Sequence, residues 1–307
     1  MSDKARKAER QVVDSALLAR VAGLGLTAAQ LAEGTMTGLH KSPRHGASVE
    51  FAQHREYVPG DELKHLDWKA VAKSDKYYVK QYEDETNLRT FLLVDTSASM
   101  NYARKGLPTK LEYASQMATA LAYTLLRQGD AVGLLTFANG LGHYVPPRAR
   151  PDHFWQLART LERAEIEKGT DLVRPLEHIA EVGGRRGLVL IFSDAMDFRD
   201  QVAALSRQLR RRHQVAFFHV LDPDELEFPF DELTLFEGLE EDERLLADPR
   251  AMKEQYLIEM RDFCANLKRD LAEGDVRYTR VRTDEPPERT LLSFLAGPGR
   301  RSGASHP

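Results

Sequence analysis

Uncharged aliphatic and aromatic residues form short runs along the chain, and helix-like segments separate the runs. Such runs are typical of strands buried on both faces of a parallel sheet. They lie at residues 90–94, 130–139, 187–194 and 215–221, and a more polar strand, VRYTRVR, is predicted at 276–282. Segments with apolar residues at helical spacing lie at 110–128, 154–164, 172–182, 201–212, 249–272 and 289–295. This alternation predicts βαβ units and a doubly wound, mostly parallel α/β sheet of the Rossmann type.

The parts of the chain around this pattern divide it further. Residues 1–37 predict a helical arm, and residues 38–88 predict a β-rich segment packed on the main domain, because short alternating runs are separated by turns. The main domain spans residues 89–297, and the polar, Gly-rich tail at 298–307 has a composition typical of disorder.

Two stretches of the main domain break its rhythm. Pro146 and Pro147 predict a linker between a strand and a helix. Residues 222–248 predict a C-terminal hairpin insertion with an acidic tip around Glu240. The apolar residues of its two arms are Leu226, Phe228 and Phe230, then Leu233, Leu235 and Phe236.

Two predicted strands end in aspartate. Asp95 is followed by Ser97 and Ser99, and a second strand ends in Ser193-Asp194. Taken alone, the first run is equally an ordinary turn in which Asp or Ser caps the next helix. A Gly-Thr turn with Thr170 lies between the two strands, and together these oxygens predict a cation site at the carboxyl edge of the sheet.

This constellation resembles the metal-ion-dependent adhesion site of a von Willebrand factor A domain. The resemblance implies that Ser97 and Ser99 bind Mg2+ (or Mn2+) directly, that Thr170 binds directly or through water, and that Asp95 and Asp194 act largely through water. A cation with so few carboxylates would accept an acidic side chain from another protein. An ammonium group from Lys168, beside the Gly-Thr turn, would oppose metal binding if it folded over the site.

The segment before the main domain carries a second resemblance. Its ordered positions include GLHKS from Gly38, Glu50-Phe51, Pro59-Gly60-Asp61 and Leu66-Asp67-Trp68. They resemble the domain-of-unknown-function family fifty-eight, whose members are von Willebrand factor A-like and associated with MoxR-type AAA+ ATPases. The resemblance implies that the partner is such an ATPase, or its client, contacted through an acidic side chain. Asp61 and Asp67 are better explained as turn residues than as a second carboxylate pair.

Composition narrows the function classes. The chain has 47 acidic and 43 basic residues, so its charge does not favour a nucleic-acid partner. Its single cysteine, Cys264, excludes an internal disulfide. No apolar run reaches the ~20 residues of a membrane span, and the charged N-terminus does not have the pattern of a secretory signal. We therefore expect a cytoplasmic protein.

Enzyme motifs are missing from the sequence. There is no G-x-S-x-G elbow and no G-x-x-x-x-G-K-[ST] nucleotide loop. Ser97 stands where phosphatases that use a strand-end aspartate need a second carboxylate. The sequence therefore predicts a non-enzymatic, metal-dependent protein-interaction module. The alternatives are a metal-dependent phosphohydrolase with Asp95 as nucleophile, and a scaffold whose metal site is vestigial.

Overall fold

A computed structural model describes residues 12–23, 49–56, 78–84, 89–184, 187–196, 213–238 and 244–296. The chain divides into two compact units, of which Leu39–Asn87 is the smaller. In that unit, strands β1 (Val49–Glu56) and β2 (Tyr78–Asp84) pair antiparallel, as the alternating runs predict. The segment from Pro59 to Trp68, the helix predicted at 201–212 and the tail at 298–307 lie outside the described residues.

The larger unit is built on a six-stranded sheet of β3 (Arg89–Asp95), β4 (Ala131–Ala138), β5 (Gly140–Arg148), β6 (Gly187–Ser193), β7 (His213–Leu221) and β10 (Arg277–Arg282). The strand order is β10-β7-β6-β3-β4-β5. Five strands are parallel, and β5 is antiparallel to its neighbour at the edge. A separate antiparallel pair consists of β8 (Thr234–Glu237) and β9 (Arg244–Ala247). The predicted mostly parallel α/β fold is therefore confirmed.

Helices cover both faces of this sheet. Successive residues of a strand point to opposite sides, so the apolar strands place hydrophobic side chains on both faces. The helices are α1 (Ser15–Ala22), α2 (Lys110–Arg127), α3 (His153–Glu162), α4 (Val173–Val182), α5 (Pro223–Glu227), α6 (Pro249–Glu273) and α7 (Pro287–Ala296). On one face, Leu92 and Val94 of β3 belong to a core with α1, α2, α3 and α7; on the other, Phe91 and Leu93 belong to a core with α4 and α6. None of the described helices is long and apolar enough to cross a membrane.

Two predictions about the main unit are wrong. Pro146 and Pro147 lie in β5 and not in a linker, because an edge strand tolerates residues that lack a backbone N–H. The hairpin predicted at 222–248 is present as the pair β8 and β9, but the stretch expected as its first arm begins with the short helix α5. Pro223 is its first residue, and Asp222 and Glu225 form a reciprocal capping box, so helix-start chemistry prevails over the alternation of Leu226, Phe228 and Phe230.

Candidate functional site

The candidate site lies at the carboxyl edge of the sheet, where β3 and β6 run side by side. The chain leaves β3 towards β4 on one side, and later returns to place β6 on the other. Ligand crevices of open α/β sheets form at such a reversal. Because Val94 pairs with Phe192, the strand ends bring Asp95 next to Ser193 and Asp194.

Asp95 is fully buried, and both of its carboxylate oxygens accept hydrogen bonds. The Ser97 backbone N–H donates to Oδ1 at 2.9 Å, and the Ser193 hydroxyl donates to Oδ2. Burial, and then the nearby negative charge of Asp194, raise the pKa of Asp95 to about 7. These contacts fix the orientation of the carboxyl group before any ligand arrives.

The two serines are buried with the aspartates. The Oγ atoms of Ser97 and Ser99 are 3.1 Å apart, and the Ser99 hydroxyl hydrogen-bonds the Asp194 carboxylate, which helps to lower the pKa of Asp194. Ser99 opens a single 3-10 turn, Ser99–Asn101, in which Ser99 and Met100 are buried. The structure thus brings together four of the five predicted side chains: Asp95, Ser97, Ser99 and Asp194.

The fifth predicted residue, Thr170, is on a neighbouring loop. The Glu167 N–H donates to the Thr96 carbonyl at 3.2 Å, and the Asp171 N–H donates to the Ala138 carbonyl, at the end of β4, at 2.7 Å. These bonds hold the Thr170 loop against the same sheet edge. In the described part of the chain, no hydrogen bond joins the half-buried Thr170 to the other four side chains.

Lys110, which the sequence interpretation did not single out, lies at the edge of the site beside Asp194. Its side chain is 1% exposed, and its Nζ is 2.7 Å from Asp194 Oδ2 and 2.5 Å from Glu225 Oε1. Burial alone would lower the pKa of Lys110, but the Asp194 and Glu225 carboxylates outweigh burial and raise it. Lys168, the cation expected near the site, is an exposed residue.

The sequence does contain a signal for Lys110. It is the first residue of α2, where a positive charge opposes the helix dipole. A lysine at this position that is followed directly by the apolar stripe of the helix therefore indicates a buried acidic partner. The partners themselves come from distant parts of the chain, 84 and 115 residues further on, so their identity is not readable from local pattern.

Glu225 links Lys110 to a second hydrogen-bonded cluster, which is centred on Asp222. It belongs to α5, and its other oxygen accepts the Asp222 N–H at 2.7 Å. The Asp222 side chain accepts the Arg104 N–H at 2.9 Å and the Thr283 hydroxyl at 3.1 Å. The loop between β3 and α2 is thereby bonded to α5 and to the end of β10.

His219 is hydrogen-bonded to the backbone of the site. Its Nε2 donates to the Asp194 carbonyl at 2.9 Å, and its Nδ1 is 2.8 Å from the Tyr278 hydroxyl. Ala195, the residue after Asp194, has a left-handed backbone with φ 57° and is fully buried. Strained backbone of this kind persists where the surroundings over-determine it, which is common at functional sites.

Comparison with known proteins identifies the family of this chain. The sequence pattern of the family described as "Protein of unknown function DUF58" matches residues 53–263. This chain belongs to that family. The predicted family is thereby confirmed, and its description assigns no activity.

Individual relatives are more distant. Uncharacterized protein Rv1480 of Mycobacterium tuberculosis (strain ATCC 25618 / H37Rv) is 26% identical over 298 residues, which are 95% of this chain and 93% of that protein. The conserved hypothetical protein BatB from Bacteroides thetaiotaomicron has a TM-score of 0.45 and 18% identity, over 68% of this chain and 98% of that one. The SpRpn10 VWA domain has a TM-score of 0.40 and 12% identity, over 70% of this chain and 99% of that one.

Proposed function

We propose that this member of the DUF58 family is a non-enzymatic protein-interaction module that works in the cytoplasm and binds its partner through Mg2+ or Mn2+. The observation that carries the proposal is the buried cluster of Asp95, Ser97, Ser99 and Asp194 at the edge of the sheet. A free thiol at the half-buried Cys264 suits a reducing compartment.

The side chains of the cluster fit a hard divalent cation. All of their donor atoms are oxygens, which Mg2+ and Mn2+ prefer. Among the residues that the structure describes, no three His, Cys, Asp or Glu side chains form a metal-holding group by themselves, so the serine hydroxyls are needed. Ser97 and Ser99 would hold the ion directly, Thr170 directly or through water, and Asp95 and Asp194 largely through water.

When bound, the cation would supply positive charge and a coordination position for a carboxylate from outside. The residues of the chain prepare for this. The Ser97 N–H and the Ser193 hydroxyl fix Asp95, and His219 fixes the backbone of Asp194. Such preorganisation reduces the entropy that binding would otherwise lose.

The same contacts weigh against the phosphohydrolase alternative. A nucleophilic carboxylate must be ionised and able to reach its substrate. Asp95 has both oxygens engaged by hydrogen bonds and no exposed surface. We therefore expect no turnover of generic phosphatase substrates in Mg2+.

The partner that we propose is a MoxR-type AAA+ ATPase or its client, in a chaperone-like or complex-maturation role. The family resemblance supports the ATPase, and the small number of carboxylates in the cluster supports recognition through an acidic side chain. The test is capture of the purified cognate ATPase on the immobilised chain, without nucleotide, in Mg2+ and in chelator. Capture should require Mg2+.

Variants of the chain separate its own metal site from metal effects on the ATPase. Ser99→Ala in Mg2+ should lower capture at least tenfold, while Ser293→Ala, on the exposed face of α7, should leave it unchanged. Thermal melts of both variants would confirm that they are folded. Equal capture of the ATPase by the wild type in Mg2+ and in chelator, or by Ser99→Ala and the wild type, would overturn the proposal.

A further inference from the structure

Lys110 stands between the proposed metal ligands and an acidic helix. Its ammonium contacts Asp194 on one side and Glu225 on the other, at 2.7 and 2.5 Å. The lysine side chain is 1% exposed, and those of Asp194 and Glu225 are 2% and 15% exposed. Water therefore screens these charges weakly.

We propose that Lys110 is a positioning residue that sets the metal affinity of this site: its ammonium neutralises Asp194 in the metal-free chain and shifts to Glu225 when a divalent cation takes Asp194. The inference rests on the proposed function, because it assumes that the cluster of Asp95, Ser97, Ser99 and Asp194 is the metal site. It adds an internal competitor for the metal.

The geometry supports competition for Asp194. The carboxylate of Asp194 receives the Ser99 hydroxyl, the Met196 N–H on Oδ1 at 3.3 Å and the Lys110 ammonium on Oδ2. A divalent cation that drew on Asp194, even through a water molecule, would lie close to that ammonium, and two like charges in a buried site repel each other strongly. The ammonium must move away, or the affinity of the site for the metal must fall.

Glu225 gives the ammonium a place to go. It already contacts Nζ, and its second oxygen is held by the Asp222 N–H at the start of α5. Lys110 can therefore release Asp194 and keep a buried anionic partner, so neither charge is left unpaired. Metal binding at the sheet edge would then tighten the contact between α2 and α5.

Two variants test this with opposite expected signs. Lys110→Met keeps an unbranched side chain, one atom shorter, and removes its charge, and the Mg2+ affinity of the full chain, measured by titration calorimetry, should rise at least tenfold. Glu225→Gln leaves the ammonium with Asp194 alone, and the affinity should fall at least fivefold. The matched control for Lys110→Met is Lys105→Met, at an exposed lysine of the loop before α2. The matched control for Glu225→Gln is Glu227→Gln, at an exposed glutamate of α5. Both controls should bind Mg2+ as the wild type does.

The outcomes distinguish this inference from the proposed function. Wild-type binding with equal or weaker binding by Lys110→Met would overturn the role of Lys110 and leave the metal site standing. Binding by Lys110→Met but not by the wild type would support competition and contradict a metal-dependent function. Absence of binding in every variant would overturn both. If Lys110→Met does not fold without metal, Glu225→Gln still decides, because an unchanged affinity there contradicts the transfer.

Discussion

At the scale of single residues, Asp95 and Asp194 show how neighbouring groups shift the pKa values of two identical side chains in opposite directions. Both are buried at the ends of adjacent strands. Burial and the charge of Asp194 raise the pKa of Asp95, whereas the Lys110 ammonium outweighs burial at Asp194 and lowers its pKa. One carboxyl is thus predisposed to carry a proton and the other to remain ionised, which limits the negative charge held in the site without metal.

His219 should make the stability of the chain depend on pH. It is fully buried between the Asp194 carbonyl and Tyr278, and burial lowers its pKa to about 4. Because the unfolded chain has the ordinary value near 6.5, neutral His219 stabilises the fold above that value, and this contribution is lost as the pH falls from about 6.5 towards 4. The loss between about pH 7.5 and pH 5 should be about 2 kcal/mol.

Urea denaturation at these two pH values would measure the effect on the free energy of unfolding. Other groups also titrate in this range, so the comparison is made with His219→Gln, which should lose about 2 kcal/mol less than the wild type on acidification. His143→Gln, at an exposed histidine in β5, should behave as the wild type does. A pH dependence that is the same in His219→Gln would show that the buried imidazole does not titrate as stated.

At the scale of helices and strands, the local sequence pattern predicts an element correctly where one local rule alone determines its structure. The helix predicted at 110–128 is α2 at Lys110–Arg127, and the strand predicted at 187–194 is β6 at Gly187–Ser193. The errors fall where two local rules compete. In α5, the capping box and Pro223 prevail over an alternating apolar pattern, and in β5 the edge position of the strand accommodates prolines that normally mark a loop.

The start of α2 offers a test at this scale, because its cap also fixes the backbone of Lys110. The Thr109 hydroxyl accepts the Glu112 N–H at 3.1 Å, and the Glu112 carboxylate accepts the Thr109 N–H at 2.9 Å. Thr109→Ala should lower the free energy of unfolding by about 1 kcal/mol. Thr109→Ser should restore most of it, since the hydroxyl returns.

Thr160→Ala is the matched control, because the Thr160 hydroxyl lies inside a helix and donates to the Gln156 carbonyl of the same helix at 2.9 Å. Its unfolding midpoint in urea should lie close to that of the wild type. The slope of the unfolding curve should be the same in all variants if only stability has changed. A loss in Thr160→Ala as large as that in Thr109→Ala would remove the special role of the cap.

At the scale of the whole molecule, the sequence predicts where the site lies better than what completes it. Asp95 and Asp194 each follow a run that is apolar throughout, so the position of both at one edge of a parallel sheet is predictable. The contact of Lys110 with Asp194 and Glu225 depends on how three separate segments pack, and no local period encodes it. The expected contribution of Thr170 stays a prediction, since only its loop is bonded to this edge.

Metal binding should stabilise the larger unit, because its ligands come from segments that are far apart in the unfolded chain. A ligand that binds only the folded state at a free concentration a hundredfold above its dissociation constant adds about 2.7 kcal/mol to the free energy of unfolding. Thermal melts in Mg2+ and in chelator would measure this gain. Ser97→Ala should lose most of it, because the hydroxyl beside Ser99 is removed, while Ser293→Ala should keep it. If Ser97→Ala gains as much from Mg2+ as the wild type does, the metal binds elsewhere; if the wild type gains nothing, the site described here holds Lys110 as its only cation.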